Sequence, residues 1–95
     1  MRLSAIQKDV LYILFSIEAR RRFDPVPGMK LLEMLNLTRS KEINDRNFRI
    51  SCHTLVTHGL LSKYRSSTLM LAFTLTTDGR AKAKEIYQAR SEETC

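Results

Sequence analysis

The stretch Asn44-Asp45-Arg46-Asn47-Phe48-Arg49-Ile50-Ser51-Cys52-His53-Thr54-Leu55-Val56-Thr57-His58-Gly59-Leu60-Leu61-Ser62-Lys63-Tyr64-Arg65 changes period in its middle, and that change decides the fold. Before Gly59 the apolar positions Phe48, Cys52, Leu55 and Val56 are spaced four, three and one apart, the stripe of a helix packed on one side. Asn44 or Asp45 can cap its start through a side-chain oxygen, and Gly59 stops it after His58. Ile50 sits beside the stripe. Arg46, Asn47, Arg49, Ser51, His53, Thr54 and Thr57 fall on or near the other faces, with no carboxylate after Asp45. Those groups suit phosphates and base edges. After Gly59, Leu60 to Arg65 reads as a strand, Ser66-Ser67-Thr68 as a turn, and Leu69 to Leu75 as a second strand. The alternation is imperfect, so the register of this hairpin stays open.

Upstream, residues 3–21 place Leu3, Ile6, Val10, Ile13, Leu14 and Ile17 at helical spacing, with Ser4 as a candidate cap. This is expected to be the longest helix. Leu11, Tyr12 and Phe15 widen its apolar surface, so it is either a central core helix or is partly covered by a second subunit. Pro25 and Pro27 end it, with a short extended stretch around Val26. A second helix is expected from Met29 to about Leu37, burying Leu31, Leu32 and Leu35. Thr38 to Ile43 reads as a polar connector with room for one helical turn. Downstream, Thr76 or Thr77 caps a last helix over 77–90 whose inward face includes Ala81, Ala83, Ile86 and Tyr87, and residues 91–95 are expected to fray. The fold class is mainly α with a small β-hairpin, in the order helix-helix-helix-strand-strand-helix. At 95 residues this is one domain over 1–95, with its core at about 3–90.

The formal net charge of +6 is unevenly placed. Residues 1–19 balance Arg2 and Lys8 against Asp9 and Glu18. Residues 66–95 balance Arg80, Lys82, Lys84 and Arg90 against Asp78, Glu85, Glu92 and Glu93. The whole surplus therefore lies between Arg20 and Arg65, which predicts a one-sided basic footprint for a polyanionic partner.

The phrase Leu55-Val56-Thr57-His58-Gly59-Leu60-Leu61, then Lys63 and Arg65, then Leu75-Thr76-Thr77-Asp78-Gly79-Arg80, resembles the winged helix-turn-helix regulators, particularly the PadR-like and MarR-like groups. The layout matches over about residues 5–90 and the wording over 44–80. The loop from Asn36 to Asn44 and the Pro-Val-Pro-Gly link depart from the pattern. The resemblance implies sequence-specific binding of double-stranded DNA by a dimeric transcriptional regulator, a repressor in the simplest case. The third helix would enter the major groove, with Arg46, Asn47 and Arg49 nearest the bases and Ser51, His53 and Thr54 as further contacts. Arg39, Ser40 and Lys41 would clamp the backbone before that helix, and Lys63 and Arg65 would do so on the wing. Which side chains read bases and which hold phosphates stays open. The homodimer would form through exposed members of the first and last helices.

A winged-helix module that binds protein rather than DNA is the rival reading. An RNA partner lacks a stacking platform, since Tyr64 is the only aromatic near the wing tip. Arg20, Arg21 and Arg22 suit DNA contact, electrostatic capping of the first helix or plain solvation. Cys52, His53 and His58 lie on different sides of one helix and do not make a metal site, and no cofactor is expected. His58 reads instead as a cap residue. No Gly-rich phosphate loop or nucleophile elbow points to an enzyme. Cys52 and Cys95 are expected to be free thiols in a reducing compartment. The apolar run Val10 to Ile17 is too short for a signal peptide or a membrane span, so a cytoplasmic protein is expected.

Overall fold

The period change at Gly59 is realised as a helix leading into a hairpin. The computed structural model describes residues 2–38, 41–65 and 70–93. Its elements are α1 (Ala5–Ala19), β1 (Val26–Pro27), α2 (Gly28–Thr38), α3 (Asp45–Thr57), β2 (Leu61–Arg65), β3 (Leu71–Leu75) and α4 (Thr77–Glu93).

α1 begins in a capping box: the Gln7 backbone N–H donates to Ser4 Oγ at 3.2 Å, and the Ser4 N–H donates to Gln7 Oε1 at 2.9 Å. Val10, Leu11, Ile13 and Leu14 are buried in the chain's own core. Ile6, Tyr12, Phe15 and Ile17 are only partly buried against that core. This helix is not the longest: α1 has 15 residues and α4 has 17. The last helix runs on to Glu93 instead of fraying from Ser91, and Ala81, expected inward, is exposed while Ala83 is fully buried.

α1 closes with the Arg21 N–H donating to the Glu18 carbonyl at 2.8 Å and the Arg22 N–H to the Ile17 carbonyl at 3.4 Å. That bonding pattern needs a left-handed residue, normally glycine, and here Arg21 takes it at φ 61°. The extended stretch at Val26 is a true edge strand. Val26 pairs with Phe73 and Pro27 with Ala72, giving an antiparallel sheet in the order β1-β3-β2. An edge position tolerates a proline because one side of the strand needs no donor.

α2 buries Leu31 and Leu35. Asn36 on its far turn then holds the connector: its Oδ1 accepts from the Ile43 N–H at 2.8 Å, which seats Ile43 in the core. Lys41 to Asn44 contain no helical turn, and Arg39 and Ser40 lie outside the described residues. In the hairpin, Leu61 pairs with Leu75, Lys63 with Phe73 and Arg65 with Leu71. Directly paired residues share a face, so Leu61, Leu75 and Phe73 face the core while Lys63 and Arg65 carry that face beyond it. The turn residues Ser66, Ser67 and Thr68, with Leu69, lie outside the described residues.

The motif joining wing and last helix has a plain physical cause. Gly59 takes φ 76° to end α3. Thr76 Oγ1 donates to the Gly59 carbonyl at 2.6 Å and accepts from the Gly79 N–H at 2.9 Å, so it caps α4 and ties it to the end of α3. A Cβ on Gly79 would lie 1.8 Å from the Leu60 carbonyl oxygen, which is why no larger residue fits there. None of the described helices is long and apolar enough to cross a membrane.

Candidate nucleic-acid interface

The Asn44 side chain accepts the Asn47 backbone N–H at 2.8 Å and starts α3, so the first turn is held firmly where Arg46 and Asn47 leave it. Phe48, Cys52 and Leu55 are buried, as the stripe required. Arg46, Asn47, Arg49, His53 and Thr57 are exposed on the opposite side. Ser51, expected as a further contact, is instead only 8% exposed: at helical spacing it sits at the edge of the buried arc, just beyond Leu55, where its hydroxyl is largely shielded from solvent. Thr54 is half-buried, and its hydroxyl donates to the Ile50 carbonyl at 2.9 Å. Its donor is thus committed within the helix.

Arg49 makes an ion pair with Asp45 one turn earlier, Nη2 to Oδ2 at 2.8 Å, both side chains largely exposed. Sequence reading passed over this pair, although its four-residue spacing was legible. An exposed pair of this kind contributes only about 0.3–0.5 kcal/mol to stability. Its effect is to hold the guanidinium against the outer face of α3.

A shallow cleft of about 390 Å³ runs between α3 and the hairpin. Arg49 and His53 of α3 face Arg65 and Met70 of the hairpin across it, Gly28 and Met29 from the start of α2 close one end, and Phe48 and Phe73 line the base. The structure therefore brings together Arg49, His53 and Arg65. Arg46, Asn47 and Lys63 are exposed outside this cleft, and Lys41 is exposed on the connector. Arg39 and Ser40 cannot be placed. The Met29 and Met70 rim was not foreseen, because exposed methionines carry no periodic signal.

The buried Cys52 lies beneath this face, and burial pushes its thiol up to about 12. It acts as a small apolar side chain there, with little thiolate at neutral pH. Cys95 lies outside the described residues. Among the described residues, no three or more His, Cys, Asp or Glu side chains converge as metal ligands would.

No protein-family model matches the sequence, and no curated protein matches it. Solved structures do. The adhesin competence repressor AdcR of Streptococcus pyogenes superimposes over 98% of this chain with a TM-score of 0.76 at 18% identity. RosR of H. salinarum matches over 96% with a TM-score of 0.78 at 20% identity. ZitR of Lactococcus lactis, a zinc-responsive MarR family member, matches over 99% with a TM-score of 0.72 at 20% identity. This chain spans 61% of the AdcR chain, 76% of the RosR chain and 57% of the ZitR chain. The fold is a winged helix; the solved structures that share it include one named a repressor, AdcR, and one named a zinc-responsive MarR family member, ZitR.

Proposed function

We propose that the chain binds double-stranded DNA through α3 and the hairpin and regulates transcription, as a repressor acting by occupancy. The observation that carries this reading is the convergence of Arg49, His53 and Arg65 on one open cleft between helix and wing. α3 would lie in the major groove, with Arg49 or Arg46 gripping guanine and Asn47 available to adenine, each such contact giving about 1–3 kcal/mol of discrimination. Lys63 and Arg65, together with Arg39, Ser40 and Lys41, would hold phosphates beside it.

The protein would act as a homodimer, placing two α3 helices about 34–36 Å apart on a palindromic site. The expected surface on α1 and α4 is narrower than the sequence suggested, since most of the α1 apolar set is buried within the chain. What remains is a ridge of half-buried aromatics, with Tyr12 stacked on Tyr87 at 5.4 Å and Phe15 against Tyr87 at 5.2 Å. Sedimentation at several concentrations tests this arrangement; a monomer at all of them removes it.

Fluorescence anisotropy with duplex DNA over a range of salt tests the main reading. Each neutralised phosphate adds roughly 0.9 to the steepness of the log–log salt plot. Selection from random duplexes then gives the site and its symmetry. The rival, a protein-binding module, draws support from Met29, 71% exposed, and Ile50, 54% exposed, on the same side of the molecule as the cations. It predicts weak, salt-insensitive association with DNA.

A further inference from the structure

A second cleft lies behind the first, across the junction of β1 and α2. Arg20 and Arg22 from the end of α1 and Lys30 from the first turn of α2 line it, around a floor that includes Ile17, Val26 and Met34. Asp24 is the only carboxylate in its lining.

The three cations are left unneutralised by the fold. None of them makes an ion pair with a described residue. Of the two acids that flank the run, Asp24 lines the cleft while Glu18 is taken by Arg80, whose Nε donates to Oε1 at 2.6 Å. The backbone reversal at Arg21 sets the geometry. With Arg21 at φ 61°, Arg20 and Arg22 both reach the cleft while Arg21 does not line it.

The two clefts are separate but are both lined from one short segment. Gly28 and Met29 close the end of the α3–hairpin cleft, and Pro27 and Lys30, their immediate neighbours, line the second. Two clefts with basic linings therefore adjoin the start of α2, one holding Arg49 and Arg65 and the other Arg20, Arg22 and Lys30.

We infer that Arg20, Arg22 and Lys30 form a ledge for the DNA phosphate backbone, extending the contact beyond the bases met by α3 and beyond the wing. The inference rests on the proposed DNA binding and adds its reach. A continuous polyanion matches a set of separated cations at an open surface, and contacts of this kind position the protein without reading sequence.

The test compares the wild-type chain with the triple variant Arg20→Gln, Arg22→Gln and Lys30→Gln by anisotropy. A selected duplex is used in two lengths, one ending at the α3 site and one extended on both sides, across a salt series. On the extended duplex the triple variant should lose affinity for all sequences alike. Its salt slope should flatten by roughly 2–3, the sum of three phosphate contacts. On the short duplex the two proteins should bind nearly equally, and circular dichroism should show the same melting. Unchanged slope and affinity on the extended duplex, with Arg49→Ala still weakening specific binding, would overturn the ledge and leave the DNA reading standing. Failure of the wild-type chain to bind either duplex overturns both. Saturable calorimetric binding of inorganic phosphate to the wild-type chain, lost in the triple variant while DNA affinity is kept, assigns the cleft to a small anion and also overturns the ledge.

Discussion

Among the described residues, ion pairs gather on α1 and α4, whereas the charges around α3, the hairpin and the end of α1 are mostly unpaired. On the first side, Arg80 pairs with Glu18, Arg90 pairs with Asp9 and lies 4.6 Å above the Tyr12 ring, and Lys82 pairs with Glu85. On the second side, the only ion pair among the described residues is Arg49 with Asp45. Two arginines of the last segment, Arg80 and Arg90, are met by Glu18 and Asp9 of the first. The surplus in the middle stays at the surface, where it is available to an anion. Cations in the first region link helices, and those in the second are the ones the proposed DNA contact would use.

The strongest way to break this division is at the joint between its halves. Gly79→Ala drives a methyl group into the Leu60 backbone and should cost about 3 kcal/mol, measured by thermal or urea unfolding. A loss below about 1 kcal/mol would mean that α4 is not seated on the end of α3 as described.

Next comes a pair of substitutions that should separate the two regions. Arg49→Ala should weaken specific duplex binding by about 1–3 kcal/mol and leave the melting temperature almost unchanged. Arg80→Ala should leave duplex binding unchanged and lower stability by no more than about 1 kcal/mol, since that pair is partly exposed. Finding both variants impaired in the same property would erase the distinction.

Smaller again is Arg21→Gly, which should stabilise the chain by about 1 kcal/mol by relieving a left-handed arginine. Because Arg21 does not line the second cleft, the DNA salt slope should hold. A flattened slope would move Arg21 into the contact surface.

A last prediction, silent at neutral pH and read only in alkali, concerns Cys52. Its thiol ordinarily titrates near 9.0 and is held up to about 12 in the fold, so the unfolded chain releases a proton first as pH rises. The folded state then carries the extra proton, and this contribution to stability is full below pH 9 and fades as pH climbs toward 12. Urea unfolding of wild type and Cys52→Ala across that window should show the decline only in the wild type. Rapid alkylation of the native thiol at pH 7 would contradict its burial.

Much of the frame was written in local sequence. The caps at Ser4 and Asn44, the stripe Phe48-Cys52-Leu55 and the stop at Gly59 are each decided within a few residues, by hydrogen bonds and side-chain spacing that need no distant partner. The helix-then-hairpin order follows from these, and so does the outward placement of Arg46, Asn47, Arg49 and His53. What only tertiary structure decided involves residues far apart in the chain. Ser51 is inward because the core wraps wider around α3 than its apolar letters indicate. Val26 is a strand because Phe73 offers an edge to pair with. Arg80 and Arg90 are ion-paired because their carboxylates arrive from 62 and 81 residues away. The stretch from Asn44 to Arg65 thus set which elements form, since periodicity and capping are short-range. Packing alone selected which of the chain's cations remain free for a partner, since an ion pair depends on where the fold brings its two ends.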